Sequence, residues 1–165
     1  MARKEAGGTP AVQVLQRSGV AFTLHPYEHD PRAESYGLEA AEALGVDPAR
    51  VFKTLLAEAD GRLVVAVLPV TGRLDLKALA RAVGARKAAM ADPAAAERST
   101  GYVVGGISPL GQKRSLPTVL DASAAAHTSV LVSGGRRGLD VELAPADLVA
   151  LTRATTAAIV AGAHD

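Results

Sequence analysis

Residues 51–70, VFKTLLAEADGRLVVAVLPV, contain the strongest structural pattern in the chain. Two apolar runs rich in β-branched residues, Val51 to Glu58 and Arg62 to Val70, flank the dipeptide Asp60-Gly61. An Asp-Gly pair between two such runs is typical of a two-residue β-hairpin turn. The sequence therefore predicts that these two runs form an antiparallel hairpin.

Helices and short strands are predicted on both sides of this hairpin from capping residues and apolar patterns. The predicted helices are Thr9-Pro10 to about Ser18, Ser35 to Leu44, Asp75 to Val83, Asp92 to Arg98 and Pro145 to Thr152. The predicted strands are Ala21 to Leu24, Thr118 to Leu120, Ser129 to Val132 and Leu139 to Leu143. Helices mixed with short strands and a hairpin predict a single mixed α/β (α+β) domain.

Composition limits the possible functions. The 165 residues suit one domain, expected at residues 9–165 after a flexible tail at residues 1–8. With no cysteine the chain has no catalytic thiol of its own, and with five aromatic residues its core must be Ala, Val and Leu. A net charge of +1 argues against binding nucleic acid by charge alone, and no DNA partner is expected. Since no apolar run approaches a membrane span, we expect a cytoplasmic protein with no membrane partner.

Lys53 is the most unusual residue of the hairpin. It lies within an otherwise apolar strand, on the face that it shares with Val51 and Leu55. An ammonium on an apolar face must be paired or must lie in a cleft. Lys53 is therefore either a lysine that reaches solvent at a strand edge or a lysine that points into a pocket to hold an anion, a carbonyl or a phosphate.

Two glycine clusters and one aspartate are further candidates. Gly101 and Gly105-Gly106 flank a short apolar segment, and residues 133–138, SGGRRG, follow a strand. Such glycines form either tight turns or backbone N–H sites for an anion or an oxyanion. Asp140 intrudes on the next strand as Lys53 does on the hairpin, so the two charges could share one polar pocket.

The common catalytic and cofactor motifs are absent from the sequence. It contains no G-x-S-x-G, no Walker A and no G-x-G-x-x-G pattern. His25 and His29 have the spacing of a helical metal pair, but Pro26 and Pro31 argue against a continuous helix. We therefore expect no metal and no cofactor, and the roles of the two histidines stay open.

Seven stretches between Thr9 and about Leu148 carry a resemblance, of which the glycine-rich residues 98–113 are the most specific. They are Thr9 to Val12, Tyr27 to Asp30, Val51 to Leu55, Leu74 to Lys77, Met90 to Pro93, Arg98 to Lys113 and Val132 to Asp140. With these stretches the chain closely resembles the YbaK-type aminoacyl-tRNA deacylases. These are free-standing editing domains related to the insertion domain of bacterial prolyl-tRNA synthetase.

The resemblance implies a fold, an activity and a site. The fold would be a curved, partly barrel-like mixed sheet flanked by helices. The activity would be hydrolysis of mischarged Cys-tRNA(Pro), in which the thiol of the substrate attacks its own ester and forms a thiolactone. The implied catalytic residues are Lys53, Gly105 and Gly106. The implied substrate-binding residues are Tyr27, Thr54, Ser133 and Asp140.

Partners and alternatives follow from the same resemblance. The implied partners are the 3′ acceptor end of aminoacyl-tRNA and prolyl-tRNA synthetase in a transient complex. The paired basic residues Arg86-Lys87, Lys113-Arg114 and Arg136-Arg137 are either a basic rim for the acceptor end or solvated surface. Two other functions remain open. One is a deacylase of the same superfamily for Ala-tRNA(Pro) or another small aminoacyl-tRNA, and the other is a non-catalytic regulatory interaction protein.

Overall fold

The computed structural model describes residues 8–30, 32 and 36–162. Residues 1–7 of the predicted tail, and Ser35 at the predicted start of a helix, lie outside the described residues. The α-helices are α1 (Pro10–Ser18), α2 (Tyr36–Leu44), α3 (Leu76–Ala82), α4 (Pro93–Thr100) and α5 (Pro145–Thr152). The strands are β1 (Phe22–Pro26), β2 (Phe52–Ala59), β3 (Arg62–Pro69), β4 (Ala88–Met90), β5 (Thr118–Asp121), β6 (Val130–Arg136), β7 (Leu139–Leu143) and β8 (Thr155–Ala157). Short 3-10 helices lie at Pro48–Arg50 and Ala122–Ala126.

The predicted hairpin is confirmed as β2 and β3, which pair antiparallel over their full length from Phe52↔Pro69 to Ala59↔Arg62. Asp60 and Gly61 both have positive φ, at 50° and 83°. Those angles are what a type I′ turn requires, and glycine adopts them without steric cost. The hairpin is the centre of a five-stranded sheet with the order β4-β2-β3-β5-β8, in which β5 pairs parallel to both of its neighbours.

A second sheet has the order β1-β7-β6, and both of its pairings are antiparallel. A parallel bridge between Val51 and Leu131 connects it to the first sheet just before β2. The mixed α/β single-domain prediction is confirmed. The strands divide between two sheets, and the partly barrel-like curvature stays a prediction.

The core consists mainly of Ala, Val and Leu, as the shortage of aromatic residues predicts, although Phe52 and Tyr102 are also buried in it. Its largest cluster packs α1, the hairpin and the second sheet together, and includes Leu15, Leu56 and Val141. A second cluster packs α3 against the opposite face of the hairpin. Lys53 is the second residue of β2, next to buried Phe52 and opposite buried Leu68 of β3.

Two short strands were not predicted, and one predicted strand is longer than expected. β4 and β8 have three residues each, too few to show a period, and they were not predicted. β6 continues beyond Val132 to Arg136 because a bulge between Ser133 and Arg136 accommodates the two glycines. No helix among the described residues is long and apolar enough to cross a membrane.

Candidate active site

A cavity of about 320 Å³ opens between the two sheets, α2 and the loop before Ile107. Its lining is mainly apolar, with polar groups from separate parts of the chain. Six of the seven site residues implied by the resemblance line it, namely Tyr27, Lys53, Thr54, Gly105, Ser133 and Asp140. The volume lies within the range of sites for small organic ligands, which are usually apolar clefts with a few placed polar groups. The structure therefore brings these distant residues to one site.

Lys53 enters the cavity from the second position of β2 and is half-buried. Burial lowers the pKa of its ammonium from the ordinary value, because a low-dielectric surrounding disfavours the charged form. No carboxylate among the described residues forms an ion pair with it. Of the two interpretations of Lys53, the structure favours a lysine that points into a pocket and is free to bind a ligand.

Asp140 faces the cavity from the second position of β7, and its residue is only 6% exposed. Burial raises the pKa of its carboxyl group from 3.8 to about 7. No hydrogen bond or ion pair joins this carboxylate to another described residue. Lys53 and Asp140 thus share one pocket without forming a salt bridge with each other. Two unpaired charges in one apolar cavity are an arrangement typical of functional sites.

Tyr27, Thr54 and Ser133 add hydroxyl groups to the same cavity. The Tyr27 pKa is raised mainly by burial and also by the Asp140 carboxylate, while a backbone hydrogen bond from Gly138 lowers it. Thr54 Oγ1 is buried and has no hydrogen-bond partner among the described residues. Ser133 Oγ accepts a bond of 3.1 Å from the Gly135 amide. An unsatisfied buried hydroxyl is costly, so Thr54 is a further group that a ligand could satisfy.

Gly105 and Gly106 have different surroundings. The Gly106 amide donates to the Val103 carbonyl over 2.8 Å and closes a turn. Gly105 lines the cavity, and its N–H has no hydrogen-bond acceptor among the described residues. Of the two amides, that of Gly105 is the one that can donate to a ligand.

The second glycine cluster serves the architecture of β6. Gly134 accepts a hydrogen bond of 2.6 Å from the Thr9 hydroxyl at the N-cap of α1. A Cβ on Gly135 would lie 2.9 Å from both Thr9 and Tyr102, so the bulge is packed tightly against its neighbours. Of the two interpretations of this cluster, these two glycines fit the tight turn. Ser133 and Arg136 beside them line the cavity.

The two histidines are held by carboxylates. His25 Nε2 lies 2.7 Å from Glu142 Oε1, and His29 Nδ1 lies 2.9 Å from Glu39 Oε1. Neither histidine lines the cavity. Within residues 8–30, 32 and 36–162, no group of three or more His, Asp or Glu side chains is arranged to hold a metal ion.

Three cavity features were missed in the sequence. Tyr36 lines the cavity from the first turn of α2, and the guanidinium of Arg137 lies 4.4 Å from the centre of its ring. Met90 and Val104 are lining residues that are 52% and 39% exposed, so part of the apolar lining is open to solvent. A tyrosine at a helix start and an exposed valine in a loop have no distinctive sequence pattern, so only the tertiary structure shows them.

The basic pairs do not form one continuous rim. Arg136 lines the cavity and Arg137 lies at its edge. The amides of Arg86 and Lys87 bond to the Asp60 carboxylate at the hairpin turn, about 20 Å along β2 from Lys53. Of the three basic pairs, Arg136-Arg137 is the one that reaches the cavity, where it adds to the positive charge of Lys53.

Comparison with known proteins agrees with this geometry. A family model described as the aminoacyl-tRNA editing domain matches residues 30–151, which include every lining residue named above except Tyr27. The chain belongs to the aminoacyl-tRNA editing domain family. This editing domain is 37% identical over 161 residues to EbsC of Enterococcus faecalis, which is named as a candidate Cys-tRNA(Pro)/Cys-tRNA(Cys) deacylase. The match covers 95% of this chain and 96% of that protein.

Two other proteins similar to the editing domain have names that refer to prolyl-tRNA synthetase. A stretch of 83 residues, half of this chain, is 36% identical to 15% of the proline–tRNA ligase of Acidithiobacillus ferrooxidans. A solved structure described as a candidate trans-editing enzyme for prolyl-tRNA synthetase superposes with a TM-score of 0.78 at 25% identity, covering 96% of this chain and 94% of that one. The activity class of the editing domain is accordingly deacylation of an aminoacyl-tRNA.

Proposed function

We propose that the chain is a trans-editing hydrolase that removes cysteine from mischarged Cys-tRNA(Pro). The observation that carries the proposal is one apolar cavity in which an ammonium, a carboxylate and a backbone amide have no hydrogen-bond or ion-pair partner among the described residues. Those three groups, on Lys53, Asp140 and Gly105, complement the three polar parts of an aminoacyl ester. The relative EbsC, named for Cys-tRNA(Pro) and Cys-tRNA(Cys), supports this choice of substrate.

Each group has a proposed role. Ionised Asp140 binds the α-ammonium of the aminoacyl group, with Tyr27 and Ser133 beside it. Lys53 anchors the ester end against the terminal ribose. The amide of Gly105 donates to the ester carbonyl, where negative charge develops during attack. The exposed apolar side chains of Met90 and Val104 at the cavity mouth offer a surface to the terminal base.

The chemistry proposed is assisted by the substrate. The cysteine sulfur attacks the ester carbonyl carbon, and the bond from that carbon to the ribose oxygen breaks. The thiol proton ends on the ribose oxygen, so free tRNA and a four-membered thiolactone form, and water then opens the thiolactone to cysteine. An oriented intramolecular attack of this kind can contribute roughly 7–11 kcal/mol. The protein then needs to place the ester and stabilise charge, which matches a chain without cysteine.

Proline and cysteine are similar in size, which explains why such editing is needed. A difference of one methylene in a synthetase pocket is worth only about 1–3 kcal/mol, or 10–200-fold in rate. We further propose a transient complex with prolyl-tRNA synthetase in the cytoplasm. A net charge of +1 gives only weak, unselective attraction to tRNA, so selection of tRNA(Pro) would come from the synthetase.

The test compares one tRNA(Pro) charged with cysteine, serine or alanine. Serine is the matched control, because it replaces the thiol by a much weaker nucleophile of nearly the same size. Thiol-assisted editing predicts that cysteine is lost at least 100-fold faster than serine or alanine. Equal loss of serine or alanine would retain a deacylase that uses water and discard the thiolactone. If the folded protein leaves all three intact, the deacylase proposal fails and an interaction protein is favoured.

A further inference from the structure

The peptide unit between Val104 and Gly105 is held at its carbonyl end by one side chain. Arg137 Nη2 donates a hydrogen bond of 2.7 Å to the Val104 carbonyl oxygen. The preceding amide, that of Val104, donates over 2.9 Å to Glu97 Oε2 on α4. The backbone that leads into Gly105 is thus fixed by side chains from two other elements.

The guanidinium of Arg137 is itself held in place. It stacks on the ring of Tyr36, 4.4 Å from the ring centre. Such contacts favour Arg because its planar cation lies flat on an aromatic face. Gly105 has φ of +93°, and a Cβ there would lie 2.5 Å from Arg137 Nε and 2.8 Å from Tyr36 Cε2. Only glycine lets the guanidinium lie this close to the loop.

The direction of the Gly105 N–H follows from the planar peptide. In a trans peptide the C=O and the N–H of one unit point in opposite directions. The described residues contain no cis peptide bond. Because Arg137 holds the Val104 carbonyl, the Gly105 N–H of the same unit points away from Arg137. That N–H has no acceptor among the described residues, and Gly105 lines the cavity.

We propose that Arg137 is a positioning residue that orients and polarises the Gly105 amide as the donor to the ester carbonyl of the substrate. The inference rests on the proposed deacylase function and adds a specific cause for the oxyanion site. A cation on the carbonyl of a peptide strengthens the donor at its other end, because hydrogen bonds in a chain polarise one another. Arg137 touches no reacting atom and acts through the backbone.

A different reading of Arg137 is that its charge attracts the phosphates of tRNA. The two readings predict different results for Arg137→Lys, which keeps the charge and loses the planar guanidinium. Positioning predicts that kcat for Cys-tRNA(Pro) falls at least 10-fold in Arg137→Lys and in Arg137→Gln, with KM within about 3-fold of wild type. Arg81→Gln, on the exposed face of α3, is the charge-matched control and should retain wild-type kcat.

If Arg137 instead attracts the phosphates of tRNA, its replacement should change KM and leave kcat unchanged. KM would then rise in Arg137→Gln, Arg137→Lys would restore it, and kcat would not change. A wild-type kcat in Arg137→Lys would therefore overturn the inference.

A second measurement does not depend on activity. In ¹H–¹⁵N correlation spectra, the Gly105 amide should shift in Arg137→Lys, while the amides of α3 and α5 stay in place. An unchanged Gly105 resonance would overturn the inference even if the protein is an active deacylase. If the wild type hydrolyses no aminoacyl-tRNA, the proposed function fails, and a shifted Gly105 resonance still supports the control of this amide by Arg137.

Discussion

Two carboxylates two residues apart on β7 have opposite surroundings. Glu142 is bound by His25, Arg50 and Ser129, with the Arg50 Nη2 to Oε2 distance at 2.8 Å. These partners, led by the Ser129 hydrogen bond, lower the Glu142 pKa. Asp140 lies on the same face of the strand, is more deeply buried, and has no hydrogen-bond or ion-pair partner among the described residues.

The difference separates a structural carboxylate from a functional one. The fold satisfies Glu142 with neighbours from three segments, yet it leaves Asp140 facing an open cavity. Leaving a buried charge unpaired costs stability, and such a cost is usually retained only where a ligand supplies the partner. Lys53 and the Gly105 amide share this property with Asp140, which is why the three groups are assigned to the substrate.

The largest effect is expected from Lys53→Met, which replaces the cavity ammonium by an apolar chain of similar length. Deacylation of Cys-tRNA(Pro) should fall by about 10²–10³, the scale found when one placed charge-stabilising group is removed. The melting temperature should not fall, because the variant removes a charge whose burial is unfavourable. Single-turnover rates and thermal melts check both, with exposed Lys77→Met as the matched control. Full activity in Lys53→Met would remove Lys53 from the site.

Asp140→Asn tests the cavity carboxylate with almost no change in shape. We expect deacylation to fall about 10–100-fold, mainly through weaker binding of the α-ammonium, because a charge-assisted bond is lost. Steady-state kinetics at pH 8, where Asp140 is ionised, give the required KM and kcat. Glu142→Gln is the control from the same strand and should stay within about 3-fold of wild type. Equal losses in both variants would show that the two carboxylates do not differ in function.

The pH dependence of stability should have opposite signs at the two positions. The folded-state pKa of Asp140 is raised to about 7, so the folded state binds an extra proton between about pH 4 and 7. The contribution of Asp140 to the free energy of unfolding is fully present below pH 4 and is lost as the pH rises through 7. Asp140→Asn should therefore be more stable than wild type at pH 8, by up to roughly 4 kcal/mol. Urea unfolding at pH 5 and pH 8 measures the change, and no gain at pH 8 would contradict the raised pKa.

The smallest effect is expected from Glu142→Gln. Because the pKa of Glu142 is lowered, its stabilising contribution is present above the ordinary carboxyl range and is lost as the pH falls through it. The variant should lose about 1 kcal/mol at pH 7, since the cluster is partly exposed. Urea unfolding at pH 7 and pH 3 checks this, and the difference between the two proteins should shrink at pH 3. A stabilised variant at pH 7 would show that the cluster carries no net benefit.

The structural features that depend on a local sequence pattern could be predicted from the sequence. The hairpin could be recognised because its turn and both runs are contiguous, and α3 because Asp75 caps it. Lys53 and Asp140 could be chosen because a charge interrupts an apolar strand. The sequence raised one shared pocket for them as a hypothesis, but that they share it without pairing could not be predicted, because it depends on how two sheets are placed relative to each other. The hydrogen bond from Arg137 to the Val104 carbonyl joins residues 33 positions apart, so no local sequence pattern predicts it.

The most direct test of the central claim is a titration with an unreactive substrate analogue. In 3′-cysteinylamino-3′-deoxyadenosine an amide replaces the ester, so the ligand binds without being cleaved. We predict that ¹H–¹⁵N and carboxyl ¹³C spectra show saturable shifts at the Gly105 amide and the Asp140 carboxylate, with no shift at the Glu142 carboxylate. The Asp140 pKa should also fall when the α-ammonium becomes its partner. Binding that leaves Asp140 and Gly105 unchanged, or shifts centred on another surface, would contradict the claim that the unpaired groups of this cavity form the substrate site.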